Sequence, residues 1–180
     1  YGATARMILR SIENGENWRK VANQVFDGMG SMGNGAAMRV APIGAYFWDD
    51  LERVKEECQK SAIVTHTHPE ASVGAMAIGI GTALAANMAQ SGISFRANDF
   101  IKAIVEQLPV SDTRSKIEKS MTLPLSYDIR TIQTVLGNGT KMLAQDTVPF
   151  AIWSVAHHLS SLEDALWKAV SVLGDRDTIC

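Results

Sequence analysis

Apolar residues recur three and four positions apart along nearly the whole chain, the spacing that places them on one face of an α-helix. Ten segments carry this period: 3–14, 18–27, 36–47, 51–65, 69–91, 98–108, 113–123, 128–136, 147–160 and 162–172. The connections hold turn-forming residues, among them Asn14-Gly15, Ser91-Gly92 and Gly137-Asn-Gly139. No alternating run of β-branched residues is long enough to require a sheet. No repeat or low-complexity tract divides the chain. The pattern predicts an all-α, compact many-helix single domain over residues 1–180.

One segment tests that reading. Residues 71–95 contain no Asp, Glu, Lys or Arg and are long enough to cross a bilayer. They are, however, rich in Gly and Ala, include Asn87 and Gln90, and hold few large aliphatics. Pro69 stands where a helix would start and Gly92 where it would stop. The expectation is a buried central helix whose small side chains let its neighbours come close, with no membrane partner.

Composition adds bounds. At 180 residues and 19.5 kDa, with 46% hydrophobic and 20% charged residues, the chain can bury a substantial core. A net charge of −2, a pI near 6.1 and the lack of any Lys/Arg run argue against a nucleic-acid partner. Two cysteines, Cys58 and Cys180, make no disulfide framework, so a reducing cytoplasmic setting is expected. The opening Tyr1-Gly-Ala-Thr reads as mid-helix and the closing Asp177-Thr-Ile-Cys180 is equally abrupt. Both suggest a longer polypeptide, truncated at each end.

Three short stretches hold candidate chemistry. In Gly30-Ser-Met-Gly-Asn-Gly-Ala-Ala-Met-Arg39, three glycines and a serine precede a helical run. Glycines admit close backbone approach, and the N–H groups and dipole of a following helix suit a phosphate or pyrophosphate. No Gly-Lys-Ser/Thr makes it a P-loop, and no strand leads in as a dinucleotide fingerprint requires. The same loop also reads as a tight helix–helix connection. The second stretch, Thr65-His-Thr-His-Pro-Glu-Ala71, offers His66, His68 and Glu70 as zinc ligands. Its imidazoles could equally cap a helix end or meet a phosphate oxygen. The third, Gly174-Asp-Arg-Asp-Thr178, sets two carboxylates and a hydroxyl on a short turn. Such oxygens suit Mg²⁺, Mn²⁺ or Ca²⁺, or simply cap a helix. His157-His158 reads as a face boundary, the charges of 52–57 as a solvated helix face, and Trp18, Trp48, Trp153 and Trp167 as core.

Taken in order, these words resemble the ADP-ribosylglycohydrolase family. The likeness rests on Gly33-Asn-Gly-Ala-Ala-Met-Arg-Val-Ala-Pro-Ile-Gly44, Thr65-His66 with Pro69-Glu-Ala71, Asp146-Thr-Val-Pro-Phe-Ala-Ile-Trp153 and Gly174-Asp-Arg-Asp-Thr178. The resemblance implies hydrolysis of the bond between ADP-ribose and a protein side chain or small acceptor, assisted by two Mg²⁺ ions, with Mn²⁺ an alternative. It implies that Gly30, Ser31, Met32, Gly33 and Asn34 line pyrophosphate and ribose, and that His66 meets the phosphate side. It further implies that Asp175, Asp177 and Thr178 are metal ligands. Family members carry a Thr-Asp-Asp group and a catalytic acid nearer the N-terminus, expected here upstream of residue 1. Met32 stands where some members place an aromatic. The 180 residues are therefore expected to hold half of a metal site and to be inactive alone. The alternative is a non-catalytic relative, an ADP-ribose-binding module or a crystallin-like structural protein.

Overall fold

A computed structural model describes residues 2–180. It begins with α1 (Ala3–Glu13), α2 (Trp18–Gln24), a 3-10 helix (Asn34–Arg39), α3 (Ala41–Tyr46), α4 (Leu51–Ile63) and α5 (Pro69–Ser91). It continues with α6 (Ala97–Glu106), α7 (Asp112–Ser120), α8 (Ile129–Leu136), α9 (Ala144–Ala156), α10 (Leu162–Val170) and α11 (Arg176–Ile179). The described residues form no strand; one isolated antiparallel bridge joins Gly33 to Leu143. Tyr1, expected within a helix, lies outside the described residues.

Helix α5 is the axis. Pro69 opens it, Gly92 in the left-handed conformation (φ 69°) closes it, and Ala71 to Ala77 are all buried. It is long and apolar enough to cross a membrane, yet protein covers most of its length from Ala71 to Ala83. Gly79 packs against Cys58 and Val54 of α4, and the Cα face of Gly44 in α3 lies on the Gly79 carbonyl. No side chain fits between these backbones. Phe100, Ile101 and Ile104 of α6 and Val148 and Ile152 of α9 complete this main core.

A second core gathers Ile132 and Leu136 of α8, Phe150 and Trp153 of α9, and Val172 and Ile179 around α10 and α11. Trp153 Nε1 satisfies its N–H there by donating to the Leu123 carbonyl at 2.7 Å. A smaller cluster, Ile8, Val21 and Val25, holds α1 to α2. Thr67 Oγ1 donates to the Ala22 carbonyl at 3.1 Å and ties that pair to the turn before α5.

Local chemistry explains where the elements depart from expectation. The helix predicted over 36–47 is split, because Pro42 has no N–H for the preceding turn; a 3-10 turn precedes α3 instead. Helix α9 starts at Ala144 rather than 147, with Pro149 inside it. That proline cannot donate to the Gln145 carbonyl four residues back, and Lys116 Nζ of α7 does so from outside at 2.9 Å. Helix α10 turns Ala165 and Ala169 inward and leaves Leu162, Leu166 and Trp167 exposed. Trp167, expected in the core, is 68% exposed. Trp153 is fully buried, as expected, whereas Trp18 and Trp48 are half-buried.

Candidate functional site

The glycine loop is threaded between two other segments. Gly30 takes a left-handed conformation (φ 75°) with Thr67 and the His68 amide pressed against its Cα, so only glycine fits. The Ser31 carbonyl accepts from His68 N at 3.3 Å, and Ser31 Oγ accepts from Gly33 N at 3.2 Å. On the other side, Asn34 N donates to Met142 O and Ala144 N donates to Met32 O, both at 3.0 Å. These paired bonds form the bridge that fixes the loop to the start of α9.

Asn34 is the joint of the site. Buried to 7% exposure, its Nδ2 donates to Thr147 Oγ1 at 3.0 Å and to Asp175 Oδ2 at 2.7 Å. The second bond spans 141 positions and brings the Asp-x-Asp-Thr turn to the glycine loop. Asp175 stands at the N-cap of α11, but its carboxylate makes no capping bond there. The capping reading of this turn therefore fails for Asp175, whose side chain is committed to Asn34. Its backbone is held by the Asn138 carbonyl, which accepts from Asp175 N at 3.0 Å. Asp177, exposed, and Thr178, half-buried, follow in the single turn of α11.

His66 closes the loop from the α4 side. Its ring lies against Gly33 and Gly35, where an added Cβ would come within 3.1 to 3.2 Å of ring atoms. Nδ1 is paired with Thr65 Oγ1 at 2.7 Å. That hydroxyl, on a residue 4% exposed, accepts from Arg39 Nη2 at 3.0 Å. Arg39 also donates to the Ser61 carbonyl at 2.6 Å and the Gly35 carbonyl at 3.3 Å. Burial first, and the neighbouring Arg39 charge second, push the His66 pKa down to about 4. The imidazole is neutral at physiological pH.

The zinc reading of the histidine turn does not hold. His68 caps α5, its Nδ1 accepting from Glu70 N at 3.2 Å. Glu70 turns away to the N-terminus of α7. There its carboxylate accepts from Asp112 N and Thr113 N at 2.8 Å each, and from Thr113 Oγ1 at 2.6 Å. A carboxylate in that position satisfies orphan helix N–H groups and complements the dipole. Among the described residues, no group of three or more His, Cys, Asp or Glu side chains gathers as a metal set. His157 and His158 stay structural: His157 packs on Trp153 at 5.0 Å between centroids, and His158 Nδ1 pairs with the Ser154 carbonyl at 2.8 Å.

Four contributors escaped the sequence reading. Thr65 opens the histidine motif, where its neighbours in sequence give it no evident role. Arg39 closes the glycine word, and Thr147 stands in Asp146-Thr-Val-Pro; both were visible as motif letters, without a stated task. Gln145, whose Nε2 donates to Met32 Sδ at 3.3 Å, carried no local signal.

The glycine loop, the acidic turn and His66 thus lie together on an α-helical frame. Residues 1–180 match the family model described as ADP-ribosylglycohydrolase. The chain belongs to the ADP-ribosylglycohydrolase family. It is 30% identical over 189 residues to ADP-ribosylhydrolase ARH3 of Gallus gallus, covering 88% of this chain and 49% of that protein. With ADP-ribosylhydrolase ARH3 of Homo sapiens the identity is 28% over 213 residues, covering 99% and 56%. An uncharacterized protein of Archaeoglobus fulgidus is 29% identical over 180 residues, covering 99% and 54%. The chain thus spans about half the length of the relatives it matches.

Proposed function

We propose that this chain is the ligand-seating part of a metal-dependent ADP-ribosylglycohydrolase, which hydrolyses the glycosidic bond between ADP-ribose and a protein side chain or small acceptor. The observation that carries the reading is the Asn34–Asp175 hydrogen bond, which joins the loop to the acidic turn. The ARH3 relatives, named as ADP-ribosylhydrolases, support the same class. In this reading Gly30 to Asn34 line the pyrophosphate and ribose, and neutral His66 offers a hydrogen bond to a phosphate oxygen. Met32 supplies a flexible apolar wall, in contact with Gln145, rather than a stacking ring.

The donor set of the turn fits a hard divalent cation such as Mg²⁺, with Mn²⁺ the alternative. Asp175 Oδ1, the Asp177 carboxylate and the Thr178 hydroxyl are oxygen ligands of the kind those ions take. Three donors do not fill a six-coordinate shell, so further oxygens belong to water, ligand or another segment. When bound, such ions supply charge stabilisation and an activated water for an oxocarbenium-like transition state. The chain's own contribution is to hold Asp175 in place through Asn34 and to orient the diphosphate through the loop. Its proposed setting is the cytoplasm.

Calorimetry of this chain with ADP-ribose, with and without Mg²⁺, tests the proposal alongside a hydrolysis assay on an ADP-ribosylated acceptor. Binding that tightens with Mg²⁺ and no turnover by the 180 residues alone is the expected result. Absence of ADP-ribose binding in both conditions would overturn it. The second reading is an ADP-ribose-binding module without catalysis. It predicts binding indifferent to the metal.

A further inference from the structure

We propose that Thr65 and Arg39 are positioning residues that fix His66 in the tautomer carrying its proton on Nε2 and aim that N–H at the glycine loop. The argument follows the protons. A guanidinium only donates, so the Arg39–Thr65 contact at 3.0 Å uses Thr65 Oγ1 as acceptor. The hydroxyl still has its own proton to place, and Thr65 is 4% exposed, too buried for water to take it freely. The remaining partner of Thr65 Oγ1 is His66 Nδ1, at 2.7 Å. The hydroxyl therefore donates to Nδ1, which must be the bare nitrogen, and Nε2 carries the hydrogen.

The direction of this chain matters for the site. Nε2 is the ring nitrogen lying against Gly33 and Gly35, and His66 is half-buried. The relay thus presents a neutral N–H donor to the glycine loop. An anionic oxygen seated there meets a donor, whereas the opposite tautomer would meet it with a lone pair. Arg39 serves twice, because its other N–H groups hold the Gly35 and Ser61 carbonyls. The guanidinium is thereby locked behind the threonine, and burial beside it keeps the imidazole from charging. The role as a ligand contact rests on the ADP-ribose reading; the tautomer does not.

The test is nitrogen-15 NMR of the histidine rings in the 180-residue chain, with Thr65→Val as the main variant and Thr65→Ser as the conservative one. In the parent chain, His66 is expected to show an unprotonated Nδ1 and a protonated Nε2. Thr65→Val should shift the ring toward the Nδ1–H form or a mixture, and Thr65→Ser should restore the parent pattern. A purely structural role for Thr65 would not move these shifts while the backbone spectrum stayed native. Dissociation constants for ADP-ribose are expected to weaken about tenfold in Thr65→Val, the worth of one hydrogen bond to an anionic oxygen, and to recover in Thr65→Ser. A parent chain with its proton on Nδ1, or a folded Thr65→Val variant with an unchanged tautomer, overturns the relay. If the nitrogen shifts behave as expected but ADP-ribose fails to bind, the relay is upheld and the ligand reading is what falls.

Discussion

Replacing Asn34 by alanine removes two donors at once, and the structure sets the size of the loss. The bond to Asp175 Oδ2 at 2.7 Å is charge-assisted, of a kind worth about 1.5–3 kcal/mol. The bond to Thr147 Oγ1 at 3.0 Å is neutral and buried, worth about 0.5–1.5 kcal/mol. Asp175 is half-buried and regains some hydration once abandoned. The expected destabilisation is therefore about 2–3 kcal/mol, below the simple sum. Urea unfolding followed by tryptophan fluorescence reads this as a lowered midpoint at unchanged m-value. Asp175→Ala and the double variant complete a cycle, with a coupling energy of about 1–2 kcal/mol expected between the two sites. Asn34→Asp sharpens the case, because it faces one carboxylate with another, and its stability should improve as acid neutralises the pair. An Asn34→Ala midpoint indistinguishable from the parent, or strict additivity with Asp175→Ala, would refute the claim that this bond joins loop and turn.

Three further outcomes follow from other parts of the molecule. Lys116→Met should cost about 1–3 kcal/mol by orphaning the Gln145 carbonyl, and most of that cost should vanish in a Pro149→Ala background, where the backbone N–H returns; denaturant midpoints of the four chains decide it. Because His66 titrates near 4 when folded and near 6.5 when unfolded, the unfolded chain takes up the proton first. Stability is thus full above pH 6.5 and falls as pH drops toward 4, by about 2 kcal/mol once partial solvent contact is discounted. His66→Gln should flatten that part of a thermal-melt pH series. Gly44→Ala should destabilise by about 1–3 kcal/mol in thermal melts. A helical glycine replaced by alanine ordinarily gains stability, so the reversed sign is diagnostic of contact with the Gly79 carbonyl.

What could be read from the residues was what local physics decides. The apolar period, Pro69 and Gly92 placed α5 within its observed bounds, because chain-local signals start and stop a helix. The 3-10 turn before α3 was missed although Pro42 announces it, since the apolar period runs across both pieces. The true start of α9 was hidden because its proline is compensated by a lysine on another helix. The same kind of non-local partner misled the reading of Glu70. Two histidines beside it suggested a ligand, while its actual targets are amides 42 and 43 positions away. For the site, the resemblance set Asn34 and Asp175 side by side, which spacing alone could not do, and their side chains are hydrogen-bonded. It gave no account of Thr65, Arg39 or Gln145, whose tasks depend on atoms facing each other across the fold. Trp167 failed for a simpler reason: helical spacing identifies a face, not what covers it.

The stitch between Asn34 and Asp175 also sets an order of events during synthesis. The loop leaves the ribosome first and its acidic partner is made 141 residues later. Closing so wide a span from an open chain costs about 4 kcal/mol in entropy, more than one such bond returns. The helices between must therefore dock first and bring the ends together, with the amide and carboxylate fastening afterwards. A nascent chain interrupted before Asp175 would still hold the loop through His68, Met142 and Ala144, and would lack only the carboxylate that fastens the Asn34 amide.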